Sequence, residues 1–301
     1  MIEEQTPRKG RAFMEKKPFN KKLAKKIGYY ALLGFFCLVF IASAIYVGTY
    51  LAGSIAQKNL QSNHQDRHDA YPRPSIPLPG DPDYVPIAPS GPSNPSDPTD
   101  PSAPTTPSVP TILPELQWFY EQNQELVGWI TVPDTKISYP VLQSPTRPDY
   151  YLNHTFEGKW SAWGAIYARE ACDVFRPSDN ITLYGHHMKD GSMFSGLDGY
   201  KRKNFYETHK YIYFDTLYER HVYEVICSFK TSADYGQGYS YHLFDDAADE
   251  AEFNQFIATI KSMAYYETGV TAQYGDKLIT LSTCEYSLTN GRHVVVAKRV
   301  A

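Results

Sequence analysis

The stretch KLITLSTCEYSLTNGRHVVVAKR, residues 277–299, decides the fold. Residues 277–284 are rich in Leu, Ile and Thr, and residues 293–299 are rich in Val. Such side chains suit a pleated, half-buried strand. Asn290-Gly291 between them is a turn signal. Cys284 ends the first strand, and Arg292, eight residues on, opens the second. That spacing can set a thiol and a guanidinium on neighbouring strands. A nearby cation favours the thiolate, which is the nucleophilic form of cysteine.

Outward from this pair, similar Val-, Ile-, Tyr- and Thr-rich runs predict strands at 128–132, 138–143, 164–169, 181–184, 211–215 and 221–230. Helices are expected at 113–127, 193–208 and 245–263. The first carries Leu116, Phe119, Tyr120 and Val127 at helical spacing. The last puts Phe253, Phe256, Ile257 and Ile260 on one face, with acidic residues in its first turn, where they complement the helix dipole. Eight strands with few helices imply a mainly β domain over 114–301, a closed or nearly closed eight-stranded barrel. This region has 17 Lys+Arg against 24 Asp+Glu, which argues against capture of anionic polymers by bulk attraction. The whole chain, at a net −4, is no general nucleic-acid binder.

The N-terminal third has a different composition. Residues 1–26 hold nine basic residues and three acidic ones, and residues 27–56 hold no charge at all. About 20 apolar residues suffice to span the hydrocarbon core. Tyr29, Tyr30, Tyr46 and Tyr50 flank the span as interfacial aromatics do. The apolar run exceeds a signal-peptide core, and no clear A-x-A cleavage site follows it. An uncleaved signal-anchor is therefore expected over 27–56. The basic flank 1–26 would be cytoplasmic and everything after the span extracellular. From Tyr71 to Pro114, 15 of 44 residues are proline. Residues 57–113 accordingly read as a semi-rigid linker.

Four cysteines exclude a disulfide-dense scaffold. Cys37 lies in the span; Cys172, Cys227 and Cys284 lie outside it, an odd number, so at least one is not paired within the chain. Cys227 alternates with Tyr223, Val225 and Phe229 on one strand face and reads as core. Cys172 falls in a loop, and a Cys172–Cys227 bridge is the alternative. His186 and His187 follow Gly185 at the end of a strand. Neighbours in an extended chain point opposite ways, and no third ligand sits at metal spacing, so no metal site is expected. His154, His209, His221, His242 and His293 read as surface or packing residues.

TLSTC at 280–284 followed by Gly291-Arg292, together with YGHHMKDGSMF at 184–194, resembles the active-site motifs of sortases. The resemblance covers about 113–301. The helix before the first strand and the long helix between the sixth and seventh strands resemble class B sortases in particular. The family implies a sortase-like barrel, a signal-anchor and no cofactor. It also implies Cys284 as nucleophile, His186 as general acid/base, since the family's histidine directly follows the glycine, and Arg292 as stabiliser of the oxyanion or substrate backbone. Tyr184, Ser282, Glu285 and Leu152 match positions lining the substrate groove. The implied partners are surface proteins with C-terminal sorting signals, cut after a threonine. A peptidoglycan precursor or pilin amine would be the acceptor. Two rivals remain open from the residues alone: a secreted cysteine peptidase that delivers the acyl group to water, and a stalked binding module.

Overall fold

The computed structural model describes residues 21–88, 110–234 and 236–301. They divide into two compact units at Gly53/Ser54. The described part of the first unit is helical. It begins α1 (Lys21–Asp69), whose apolar portion is long enough to cross a membrane by length and composition. Leu38, Phe40 and Tyr46 are among its exposed side chains.

The second unit contains the end of α1, then α2 (Pro114–Gln122), β1 (Leu126–Thr131), β2 (Ser138–Leu142), β3 (Ile166–Ala168) and β4 (Asn180–Tyr184). A 3₁₀ turn (Phe194–Lys201) leads to α3 (Lys203–Thr208), β5 (Tyr211–Thr216) and β6 (Arg220–Ser232). α4 (Glu250–Ser262), β7 (Leu278–Glu285) and β8 (Gly291–Arg299) complete it. The strands form a closed barrel in the order β1-β2-β3-β4-β7-β8-β6-β5, with β5 pairing back to β1. β2–β3 and β4–β7 are parallel and the remaining pairs antiparallel. Closure leaves no unpaired edge among the described barrel strands. The crossover from β6 to β7 carries α4, which lays Phe253, Phe256, Ile257 and Ile260 over Ile226, Phe229, Leu278 and Val296. On another side Leu116 and Phe119 of α2 pack with Leu126, Trp129 and Leu142.

The predicted elements are present, with different ends. The first domain helix stops at Gln122 because Asn123 is extended and Leu126 and Val127 are drawn into β1. The helix expected over 193–208 splits at Arg202, whose φ of −122° and ψ of 130° break the turn. α4 begins at Glu250, capped by Asp249 Oδ1, which accepts from Glu252 N at 2.9 Å. Asp245 and Asp246, expected inside that helix, instead pair with Arg169 and accept from Ser178 Oγ and Asp179 N, respectively.

The N-terminal side differs more. The helix continues to Asp69, past the start of the expected linker at 57, because residues 57–70 carry no proline and find partners on the barrel. His64 sits between the rings of Phe119 and Phe156. His68 stacks on Trp129 at 4.2 Å and 9°. Further along, Arg73 pairs with Asp215 and donates to His221 O, and Tyr84 donates to Val300 O at 3.2 Å. Most of the remaining proline-rich stretch, 89–109, lies outside the described residues.

Candidate active site

In the β7–β8 ladder Cys284 stands directly opposite Arg292. Cross-strand partners share a face, with Cβ atoms about 4.5–5.5 Å apart. The turn enforces this register. Asn290 is left-handed at φ 47°. A Cβ on Gly291 would fall 2.3 Å from Glu285 O, so only glycine lets the strands close there. The Arg292 Nη1 donates to Asn290 O at 3.2 Å and Asn290 Oδ1 at 3.1 Å, which ties the guanidinium to the turn.

The histidine arrives on β4, which runs parallel to β7. Tyr184 registers with Ser282, and Gly185 N donates to Ser282 O at 3.1 Å. A Cβ on Gly185 would meet Ile166 Cδ1 at 2.5 Å and Phe194 Cγ at 2.7 Å. Glycine is what lets the chain pass between them and deliver His186. His186 Nε2 donates to Leu152 O at 2.8 Å. His187 turns elsewhere and donates from Nε2 to Asp198 Oδ2 at 2.8 Å.

A cavity of about 380 Å³ brings together Leu152, Tyr184, His186, Ser282, Cys284 and Arg292. Glu285 is not among its lining residues; its carboxylate accepts from Ser287 and pairs with Lys201. Asp149, Tyr167, Tyr241 and His242 also line the cavity. Sequence reasoning missed all four and took His242 for a surface or packing residue. Their approach is purely tertiary: Tyr241 meets Ser282 Oγ at 2.6 Å across 41 residues, and Tyr167 donates to Asp149 Oδ1 at 2.8 Å. Burial pushes the His242 imidazole below its usual value, helped by Arg169 and Arg292.

The other two thiols of the second unit are in a different state. Neither is in a disulfide. Burial pushes both Cys172 and Cys227 up to about 12. Both are therefore protonated and shielded near neutral pH. Cys284 alone of the three is partly exposed and opens on a cavity.

This arrangement has relatives. The Sortase domain family matches residues 130–300, more than half the chain. Sortase B of Staphylococcus aureus is 34% identical over 189 residues, 62% of this chain and 75% of the relative. A solved complex of Staphylococcus aureus sortase B with substrate superposes at a TM-score of 0.58 with 34% identity, covering 63% of this chain and 86% of that one. A solved Bacillus anthracis sortase B superposes at 0.63 with 28% identity, covering 82% and 96%. The two motifs, the closed barrel and these relatives agree: the chain belongs to the sortase family, among the class B cysteine transpeptidases.

Proposed function

We propose that the chain is a membrane-anchored transpeptidase that cuts a protein's C-terminal sorting signal after a threonine and joins the new carboxyl end to a surface amine. Cys284 attacks the threonine carbonyl carbon, forming a C–S bond and an oxyanion. Fixed donors aimed at such an oxyanion stabilise the transition state, and Arg292 is that donor here. The C–N bond breaks as His186 gives its proton to the leaving amine. The acceptor amine then attacks the thioester, losing a proton to His186; a C–N bond forms and Cys284 leaves as thiolate. Tyr184, Ser282 and Leu152 contact the peptide, with Glu285 beside the nucleophile.

The observation that carries this reading is the Cys284–Arg292 cross-strand pair facing one cavity with His186. Further support comes from the Staphylococcus aureus sortase B relative, which was solved as a complex with its substrate. The acceptor is a peptidoglycan precursor or a pilin amine. Residues 27–56 anchor the chain in the cell membrane, with the basic segment 1–26 cytoplasmic, the catalytic domain 114–301 outside and 57–113 joining the two. The test incubates full-length protein in detergent with a threonine-containing sorting peptide, with and without an amine. Amine-dependent ligation is expected. Hydrolysis that no amine diverts would instead favour a peptidase.

A further inference from the structure

Behind the cysteine lies a second polar cluster that the reaction above leaves unused. Side chains alternate along a strand. With Cys284 and Arg292 on the cleft face of the hairpin, Glu285 and His293 sit at the alternate positions and stay out of the cavity. Glu285 is 8% exposed. Its Oε2 accepts from Ser287 N at 2.8 Å, and its Oε1 lies 3.3 Å from Lys201 Nζ. Lys201 Nζ is also 2.9 Å from Asp198 Oδ1, and Asp198 Oδ2 accepts from His187 Nε2 at 2.8 Å. Tyr286 closes the arrangement by donating to His187 O at 3.0 Å. Fully buried His293 bonds Ser228 Oγ at 2.8 Å and brings Nδ1 to 3.8 Å from Asp198 Oδ1.

These links form a circuit between the two halves of the site. Glu285 adjoins Cys284, and His187 adjoins His186. The β4–β7 ladder ends at Tyr184 and Ser282, two residues short of both functional groups. Past that point the Gly185 N to Ser282 O bond is the last main-chain tie carried by this ladder. Asp198 and Lys201 sit three apart on the 3₁₀ turn Phe194–Lys201. Side chains at that spacing eclipse in a 3₁₀ helix, so a single face offers a carboxylate to His187 and an ammonium to Glu285. Burial pushes the Asp198 carboxyl up, but the bonds from His187 and Lys201 outweigh it and hold it below its usual range. Both members of the pair are thus charged near neutral pH.

We propose that Asp198 and Lys201 form a positioning pair that sets His186 against Cys284, gripping His187 on one side and Glu285 on the other. The role rests on the assignment of Cys284 and His186 given above. Neither residue lines the cavity, so the pair acts through its neighbours. The side chains are 42% and 30% exposed, so trimming them opens no core void.

The test is steady-state ligation of a sorting peptide by the full-length chain in detergent, beside a melting curve. Misplacing a reacting group is costly even when binding is intact, so Lys201→Met and Asp198→Asn are each expected to lower kcat by about five- to tenfold. KM stays within about twofold, since no substrate contact is removed. Lys201→Arg restores kcat to within about twofold, because the charge and both partners are kept. Cys284→Ala, run alongside, is inactive. Unchanged kcat in Lys201→Met beside an inactive Cys284→Ala overturns the positioning role alone. So does a Lys201→Arg as slow as Lys201→Met, or a loss carried entirely by KM. Turnover by Cys284→Ala overturns the nucleophile assignment, and the positioning role with it.

Discussion

Cys284 on β7 and Arg292 on β8 are direct cross-strand partners, one rung before the ladder ends at Glu285 and Gly291. The barrel therefore builds the thiol–guanidinium pair from the most regular hydrogen-bond pattern it has. Strand register fixes which side chains share a face. A pair set this way needs no loop to arrange itself before a substrate binds.

Arg292 is expected to be irreplaceable by lysine. Its Nη1 is held by the Asn290 carbonyl and side chain, which leaves the planar fork oriented; an ammonium has no such fork. Arg292→Lys and Arg292→Ala each lower kcat by about 10²–10³-fold, as loss of an oxyanion donor does. Steady-state peptide ligation checks this. A lysine variant within about threefold of the wild type would remove the fork from the argument.

The adjacent histidines separate cleanly. His186 lines the cavity, while His187 bonds Asp198. A general acid/base is worth about 10²–10⁴-fold, so His186→Ala falls by that factor, whereas His187→Ala, which loses one polar tie, falls by under about tenfold. Both keep their Tm within about 3 °C, since neither is a core side chain. An inactive but folded His187→Ala beside an active His186→Ala would invert the assignment.

The segment after Gly53 is expected to matter for stability. Arg73 pairs with Asp215, whose side chain is only 5% exposed. Removing one partner of such a pair strands a buried charge, typically at about 3–5 kcal/mol. Burial already pushes the Asp215 carboxyl up against the pull of Arg73, and Arg73 itself is 22% exposed, so the loss falls at or below the low end of that range. Arg73→Ala is therefore expected to cost about 2–3 kcal/mol, a Tm drop of about 5–10 °C by calorimetry. A shortened chain starting near Leu113 also strips His68 from Trp129 and His64 from Phe119, and it melts lower still. An unchanged melt in both would show that these contacts contribute nothing.

Acid is expected to weaken the fold through His293. Burial, then Lys201, pushes this imidazole down to about 4, against the opposing pull of Asp198 and Glu285; His187 adds to the depression. Between about 4 and 6.5 the unfolded chain holds the proton that the folded chain refuses. Stability thus rises with pH through that window and falls on acidification, by about 3 kcal/mol in full from this one group. His221, also pushed down to about 4 by burial with help from Arg299 and Arg73, adds to the same slope. Urea unfolding at pH 7 and pH 4.5 reads the effect, and His293→Gln is expected to flatten it by about half. A slope unchanged in His293→Gln would contradict the assignment.

Much of the barrel was legible because its strands carry their own signals. The β7–β8 hairpin shows apolar β-branched runs and an Asn-Gly turn, and its register follows from them. The face of α4 was equally plain, with Phe253, Phe256, Ile257 and Ile260 all buried. Element ends were less legible. Asn123 is as compatible with a helix interior as with an extended exit, and only the pull of Leu126 into β1 decides. The cavity's other walls were not legible at all. Tyr241 and His242 reach it across a crossover, and nothing local distinguishes them from packing residues. The same holds for His64 and His68, whose partners Phe119 and Trp129 lie more than 50 residues on. The Asp198–Lys201 pair has an ordinary helical spacing in sequence; its meaning comes from the two ends of the site that it touches.

The most direct test of the central claim is the site of the covalent intermediate. Full-length protein is mixed with a threonine-containing sorting peptide in the absence of an amine, quenched in acid and mapped by mass spectrometry. The expected result is an acyl group ending in threonine, thioester-linked to Cys284, absent from Cys284→Ala and unaffected in Cys172→Ala and Cys227→Ala. An acyl group on Cys172 or Cys227, or peptide turnover by Cys284→Ala, would contradict the account.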